Sequence, residues 1–302
     1  MNRQQRRSAP AIFALASLGL AVMIGGRAAG QTGALNGDFV VEVPDGKTCQ
    51  ARRATISCGG GACNGTAGDD VMVGSANPDQ IHGLGGNDVI CGYGADDTIW
   101  GDDGDDSLFG GDGNDRVYGG NGEDHIHGNA GRDELFGGAA GDSILGGLDN
   151  DTIYGDSFID PGAGDGADAV DGEAGNDTIY GSGGNDSLSG GDGNDTISGG
   201  SGNDFIDGGA GADGLDGRAG DDRIRGGSGN DTLWGFDGQD SLDGDSGNDT
   251  LSGDNGDDLL FGDSGDDDQC FGNVGYDREV LWLGGPQTCE TVNSIEGQIN
   301  LP

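Results

Sequence analysis

From Gly65 to Cys270, with one break, an aliphatic residue returns at every ninth position, and glycine, aspartate and small polar residues fill the space between. Gly190-Gly191-Asp192-Gly193-Asn194-Asp195-Thr196-Ile197-Ser198 is the cleanest copy. With Gly190 as position 1, Asp stands at position 6 and an aliphatic at position 8, as in Asp88/Ile90, Asp106/Leu108, Asp177/Ile179 and Asp231/Leu233. A fixed short period means stacked units that bury a shared core rather than one globular core. Positions 7 to 9 predict a very short strand, with position 8 facing one way and its neighbours the other. Positions 1 to 6, Gly-Gly-x-Gly-x-Asp, predict a turn in which glycine supplies angles other residues avoid. Two repeats then make one coil with strands on opposite walls and a thin core of position-8 side chains. The predicted class is an all-β parallel β-roll (β-solenoid) with small disulfide-bearing end caps.

Along the chain, residues 31–64 read as an N-terminal cap with strands near Phe39–Val43 and Ala54–Cys58. The first repeat block, 65–154, opens on two worn copies: Met72 takes an aliphatic place, and Gly74-Ser75-Ala76-Asn77-Pro78-Asp79 lacks the fourth-position glycine. Residues 155–171 break the frame. They are seventeen, one short of two repeats, and are expected to loop out in place of about one coil. The second block, 172–270, ends on a copy in which Gln269 occupies the aliphatic place, so the inward face is expected to stop there. Residues 271–302 read as a closing cap, with short strands at Leu281-Trp282-Leu283 and Val292–Ile295. Ahead of everything, Arg3, Arg6 and Arg7 precede an apolar run from Ala9 to Gly26 and the small residues Ala28-Ala29-Gly30. That layout predicts a secretory signal peptide over residues 1–30 and no membrane span in the mature chain.

Charge narrows the chemistry. The chain carries 55 Asp+Glu against 13 Lys+Arg, a formal charge of -42, which excludes nucleic-acid binding through a basic surface. One buried aliphatic per repeat contributes about 1.5–3 kcal/mol, too little to order the residues around it. Stacked coils would also set like-charged aspartates about 4.8 Å apart, at about 1 kcal/mol per neighbouring pair even in water. A divalent cation reverses that sign. Calcium fits, because it accepts about 6–8 oxygens in flexible geometry, from carboxylates and from carbonyls that a glycine-rich turn can aim inward. Magnesium prefers a tighter octahedron and keeps its waters, and softer metals want imidazole or thiolate, which these turns lack.

Gly110–Tyr118, Gly190–Ser198, Gly199–Asp207 and Gly226–Trp234 carry the motif in full, and the stretch from Gly65 to Cys270 resembles the RTX, or haemolysin-type calcium-binding, repeat family. The resemblance implies a right-handed parallel β-roll binding multiple Ca2+ ions between turns of consecutive coils on one edge. The family's carboxylate ligand maps here onto Asp88, Asp97, Asp106, Asp115, Asp124, Asp133, Asp142 and Asp151 in the first block and Asp168 at the break. In the second block it maps onto Asp177, Asp186, Asp195, Asp204, Asp213, Asp222, Asp231, Asp240, Asp249 and Asp258. Carbonyls of turn glycines, such as Gly110 and Gly113, Gly190 and Gly193, Gly199 and Gly202, and Gly226 and Gly229, complete the shell in that picture. An N-terminal signal and cysteine-bearing ends resemble the family's repeat-only secreted proteins more than its channel-exported toxins and proteases.

Six cysteines, Cys49, Cys58, Cys63, Cys91, Cys270 and Cys289, cluster at the two ends and suggest stapled caps. Cys270 is expected to pair with Cys289, while the N-terminal four leave three connectivities open. Gly244-Asp245-Ser246-Gly247 and Gly262-Asp263-Ser264-Gly265 mimic the nucleophile segment of trypsin-like proteases, but both follow the repeat frame. With three histidines in all, His82, His125 and His127, no Ser-His-Asp set is favoured, and no enzyme is expected. His125 and His127 share one face and offer a weaker transition-metal candidate. Asn150, Asn176, Asn194, Asn230 and Asn248 form glycosylation sequons whose spacing the repeat explains. At position 9, Trp100, Tyr118, Phe136 and Tyr154 recur every eighteen residues and predict one aromatic column, opposite a mixed one of Phe109, His127 and Leu145. Cross-coil stacking is the plainer use of that column, and a cell-surface or glycan partner the alternative. The expectation is a secreted, structural, adhesive or surface-associated calcium-binding roll, with a calcium-stabilised hydrolase as a lesser reading.

Overall fold

Two parallel sheets of thirteen strands each run through the described part of the chain, and consecutive strands alternate between them. The structure, a computed structural model, describes residues 55–156, 166–262 and 268–273, together with the backbone of Phe39–Glu42, Thr48–Ala51, Arg278–Glu279 and Thr291–Ser294. Each repeat pairs with the repeat one coil away. Thr196–Ser201 lies between Thr178–Gly183 and Gly214–Ala219, with Ile197 opposite Ile179 and Leu215. The fold is the expected parallel β-solenoid, and among the described residues it contains no helix. No helix there is long and apolar enough to cross a membrane.

Position 8 builds the core as the nine-residue pattern requires. Ile81, Ile99, Val117, Leu135 and Ile153 from one wall meet Ile90, Leu108, Ile126 and Ile144 from the other in one continuous, fully buried cluster. The cluster continues past the break to Leu260 and Cys270. Its thinness is a consequence of the period: one inward side chain per repeat leaves room for two facing columns and no more.

Four expectations change. The strands are six residues long in the regular copies, not three, as in Thr196–Ser201 and Ser107–Asp112. Positions 2 and 3 also pair across coils, Gly200 with Arg218 and Ser201 with Ala219. Glycine at position 2 bends the strand without ending it (Gly200 has φ +112°), so the corner shrinks to positions 4 to 6. Second, Tyr154 pairs with Tyr180 in one sheet and Leu145 with Asp171 in the other. The segment 155–171 therefore stands in for one repeat rather than a full coil. A corner tolerates the surplus because loop-closure cost grows slowly with length. Residues 157–165 of that segment lie outside the described residues.

Third, the inward face does not stop at Gln269. Cys270 fills the core position at 1% exposure, because Asp249 bonds to Asp268 across nineteen residues instead of eighteen and the frame slips by one. Fourth, pairing in the roll starts before residue 65 and runs past 270. Ile56–Ser57 pairs with the strand bearing Met72, and Gly61–Asn64 pairs with Asp79–Gly85. Arg278–Glu279 and Thr291–Ser294 extend the two sheets at the far end. Ahead of them Phe39–Glu42 and Thr48–Ala51 form an antiparallel pair. The predicted strand at 281–283 and the predicted signal peptide lie outside the described residues.

The ends are stapled. Cys58 is bonded to Cys63, and both pack against the first core residues. Cys91 and Cys270 each belong to a disulfide as well, and Cys289, the expected mate of Cys270, lies outside the described residues.

Candidate metal centre

Every aspartate predicted at position 6 is buried in a turn, and the turns stack along the two edges of the roll. Each is used twice. One oxygen reaches one coil back: Oδ1 of Asp106 accepts the backbone N–H of Asp88, and Oδ1 of Asp124 accepts that of Asp106. On the other edge Asp115 receives from Asp97 and Asp133 from Asp115. The files cross the frame break intact, with Asp142 donating to Asp168 and Asp151 to Asp177. The second oxygen behaves differently. Oδ2 of Asp88, Asp115, Asp133, Asp195 and Asp231, and of their equivalents through most of both blocks, is buried with no hydrogen-bond partner among the described residues. A buried carboxylate oxygen left without a partner is costly, which marks a place where a cation belongs.

Glycine keeps that place open. A Cβ on Gly190 would lie 2.4 Å from Asp195 Oδ2 and 2.6 Å from the carbonyl oxygen of Gly208, one coil on. Gly110, Gly199 and Gly226 repeat the arrangement with Asp115 and Gly128, Asp204 and Gly217, and Asp231 and Gly244. Carboxylate and carbonyl oxygens thus converge where any side chain would intrude. Position 4 has another task. Gly113, Gly193, Gly202 and Gly229 all have positive φ, and a Cβ on Gly193 would stand 1.4 Å from the carbonyl oxygen of Gly175. Close coil-to-coil approach forces glycine there. Among the described residues no three Asp, Glu, His or Cys side chains cluster as a metal group. The carboxylates run in single file, so any bound ion draws most of its shell from the backbone, as calcium accepts readily.

Burial drives the carboxyls upward. It raises Asp133 to about 9 and Asp142 and Asp186 to about 8, against the opposing effect of the accepted backbone N–H bond. Neighbouring aspartates push the same way. Asp195 and Asp231 rise to about 6 for the same reasons. These groups are held in a site that disfavours their charge unless a cation shares it.

Comparison with protein-family models matches the RTX calcium-binding nonapeptide repeat over residues 64–160 and again over 162–278. The chain belongs to that family. A search of curated protein sequences found no match.

The RTX repeats here also contain carboxylates that the nonapeptide frame did not single out. Asp70, Asp79 and Asp268 occupy the position-6 place at the two ends of the roll. In the worn copies the geometry differs: Asp70 Oδ2 accepts from the Thr66 N–H and hydroxyl, and Asp79 Oδ2 from the Ser75 N–H. Burial raises the Asp70 carboxyl, but the bonds from Thr66 and Thr55 outweigh it and leave it below its ordinary value.

Position 5 runs a second file in the opposite sense. Oδ1 of Asn176 accepts the N–H of Asn194, and Oδ1 of Asn194 that of Ala212. Asn230 does the same for Asn248. Position 6 reaches back a coil and position 5 reaches forward, so the turns are stitched in both directions. This explains the Asn-Asp-Thr spacing of the sequons without invoking glycosylation.

The aromatic column on the RTX sheet is longer than predicted. His82, Trp100, Tyr118, Phe136, Tyr154 and Tyr180 stack in succession, with centroids 4.1 to 5.7 Å apart and interplanar angles of 2° to 14°. Tyr180 joins because 155–171 replaces a single repeat. The ring faces are spent on one another, which is cross-coil stacking. His127 stacks on Phe109, and His82 lies on the other sheet. Ser246, in the protease-like segment, donates its hydroxyl to the carbonyl of Gly227.

Proposed function

We propose that this chain is an exported, non-enzymatic β-roll that calcium sets into its folded form, acting as a structural or surface-associated element. The observation that carries the reading is the pair of files of buried, partnerless Oδ2 atoms, each facing a glycine-kept opening and a carbonyl of the next coil. In this reading the position-6 aspartates from Asp88 to Asp258 are the carboxylate ligands, and the turn glycines named above give carbonyls. Binding free energy is then folding free energy. Export suits such a chain, since it would remain loose where calcium is scarce and set outside; the layout of residues 1–30 and the disulfides support that route.

Circular dichroism during a calcium titration, with magnesium as control, tests the mechanism. At neutral pH the sheet signal should appear with calcium and not with magnesium, and a chelator-treated chain that keeps its full signal there would sink the reading. Fractionation of the producing cell and its medium tests export.

A further inference from the structure

Trp234 and Phe236 stand side by side on the outer face of Thr232–Asp237, 37% and 38% exposed. Their surroundings differ from those of the aromatic column. Trp234 is in register with Asp216 on one side and Ser252 on the other, so among the described residues no ring stacks on its indole from the neighbouring coils. Phe236 lies between Arg218 and Asp254, with the Arg218 guanidinium 5.8 Å from its centroid.

Phe236 has φ +74°, at the second position of the repeat, where Gly200, Gly209 and Gly227 and also Leu84, Tyr93 and Arg218 take the same left-handed region. That bend belongs to the repeat, and it leaves the Phe236 ring at the surface.

The rim is polar. Arg218 Nε is 2.8 Å from Asp216 Oδ2, and Asn273 bonds both Ser252 and Asp254. An open indole face, with paired donors and acceptors beside it, suits a ligand with one flat apolar face and a hydroxylated edge. A chain charge of -42 and the carboxylates of Asp216 and Asp254 disfavour acidic ligands.

We propose that Trp234 and Phe236 form a binding platform for a neutral oligosaccharide. The C–H face of a pyranose would lie on the indole, and its hydroxyls would meet the Asp216–Arg218 pair and Asp254. The inference requires a folded roll but not a particular assignment of calcium ligands.

The test is calorimetric titration of the full, calcium-loaded chain with cellohexaose and chitohexaose, and with polygalacturonate as the acidic comparison, the fold being checked by circular dichroism in each sample. Saturable binding of a neutral probe, weakened at least tenfold in both Trp234→Ala and Phe236→Gly, is expected. Phe236→Gly restores the glycine of the repeat and relieves strain, so it reports on binding even if Trp234→Ala folds poorly. No binding of either neutral probe, binding unchanged in both variants, or tighter binding of polygalacturonate would overturn the proposal. So would self-association of the wild type, seen by sedimentation and lost in Phe236→Gly, since the face would then be an interface between copies.

Discussion

Asp195 reaches one coil back to Asp177: its Oδ1 accepts the Asp177 N–H at 2.7 Å, while its Oδ2 lies buried beside Gly190 without a hydrogen-bond partner. The two oxygens of one carboxylate thus do separable work. Asp195→Asn keeps an acceptor for the Asp177 N–H and loses the charge, so it should shift the calcium titration to higher concentration. Asp195→Ala loses both, and should cost about 1–3 kcal/mol more than Asp195→Asn at saturating calcium, as for a buried N–H left without an acceptor. Thermal melts of the two variants across calcium concentrations make the comparison.

The raised carboxyls fix the sign of a pH effect. Without calcium, Asp133, Asp142 and Asp186 titrate in the folded roll near 8 to 9, against an ordinary value of 3.8. The folded state then holds more protons than the unfolded one between those limits. The stability these groups contribute is full below about pH 4 and disappears as pH rises through about 9. Chelator-treated protein should accordingly gain sheet signal on acidification from pH 9 to pH 5. Calcium-loaded protein should show the reverse trend in affinity, since protons compete with the ion. A calcium-free chain with flat ellipticity across that range would contradict the burial of these groups.

Two glycines of one repeat should fail for different reasons. At Gly190 an alanine would press on Asp195 Oδ2 and the Gly208 carbonyl oxygen, so Gly190→Ala should chiefly weaken the response to calcium. At Gly193 the φ is +148° and the Cβ would lie 1.4 Å from the Gly175 carbonyl oxygen. Gly193→Ala should destabilise the roll at any calcium concentration. Calcium-dependent melting of both proteins separates the cases.

The aromatic column should support the first block without touching its ions. Each stacked pair is worth about 0.5–1.5 kcal/mol beyond burial. Phe136→Ser removes its stacking on Tyr118 and Tyr154, and should lower the melting temperature with calcium stoichiometry unchanged. Equilibrium dialysis alongside calorimetry distinguishes the two effects.

Much of this was legible in the chain because a nine-residue period ties every position to one environment. Ile197 had to face inward and Asp195 had to stack on its copies, since no other arrangement of identical units buries the one and repeats the other. Errors arose where the period gave way. At 155–171 the length suggested two repeats, and only the pairing of Tyr154 with Tyr180 showed that one had been lengthened. At Gln269 a single extra residue in the turn moved Cys270 into the core.

Sequence alone determined the coil, the facing columns and the placement of one carboxylate per repeat, because those follow from spacing. Tertiary structure decided what each carboxylate oxygen touches, and which aromatic rings cover one another. Trp100 and Trp234 hold the same place in their repeats, yet among the described residues one is stacked between rings and the other is not. The difference lies in the residues one coil away, Tyr118 for Trp100 and Asp216 and Ser252 for Trp234, which only the register brings alongside.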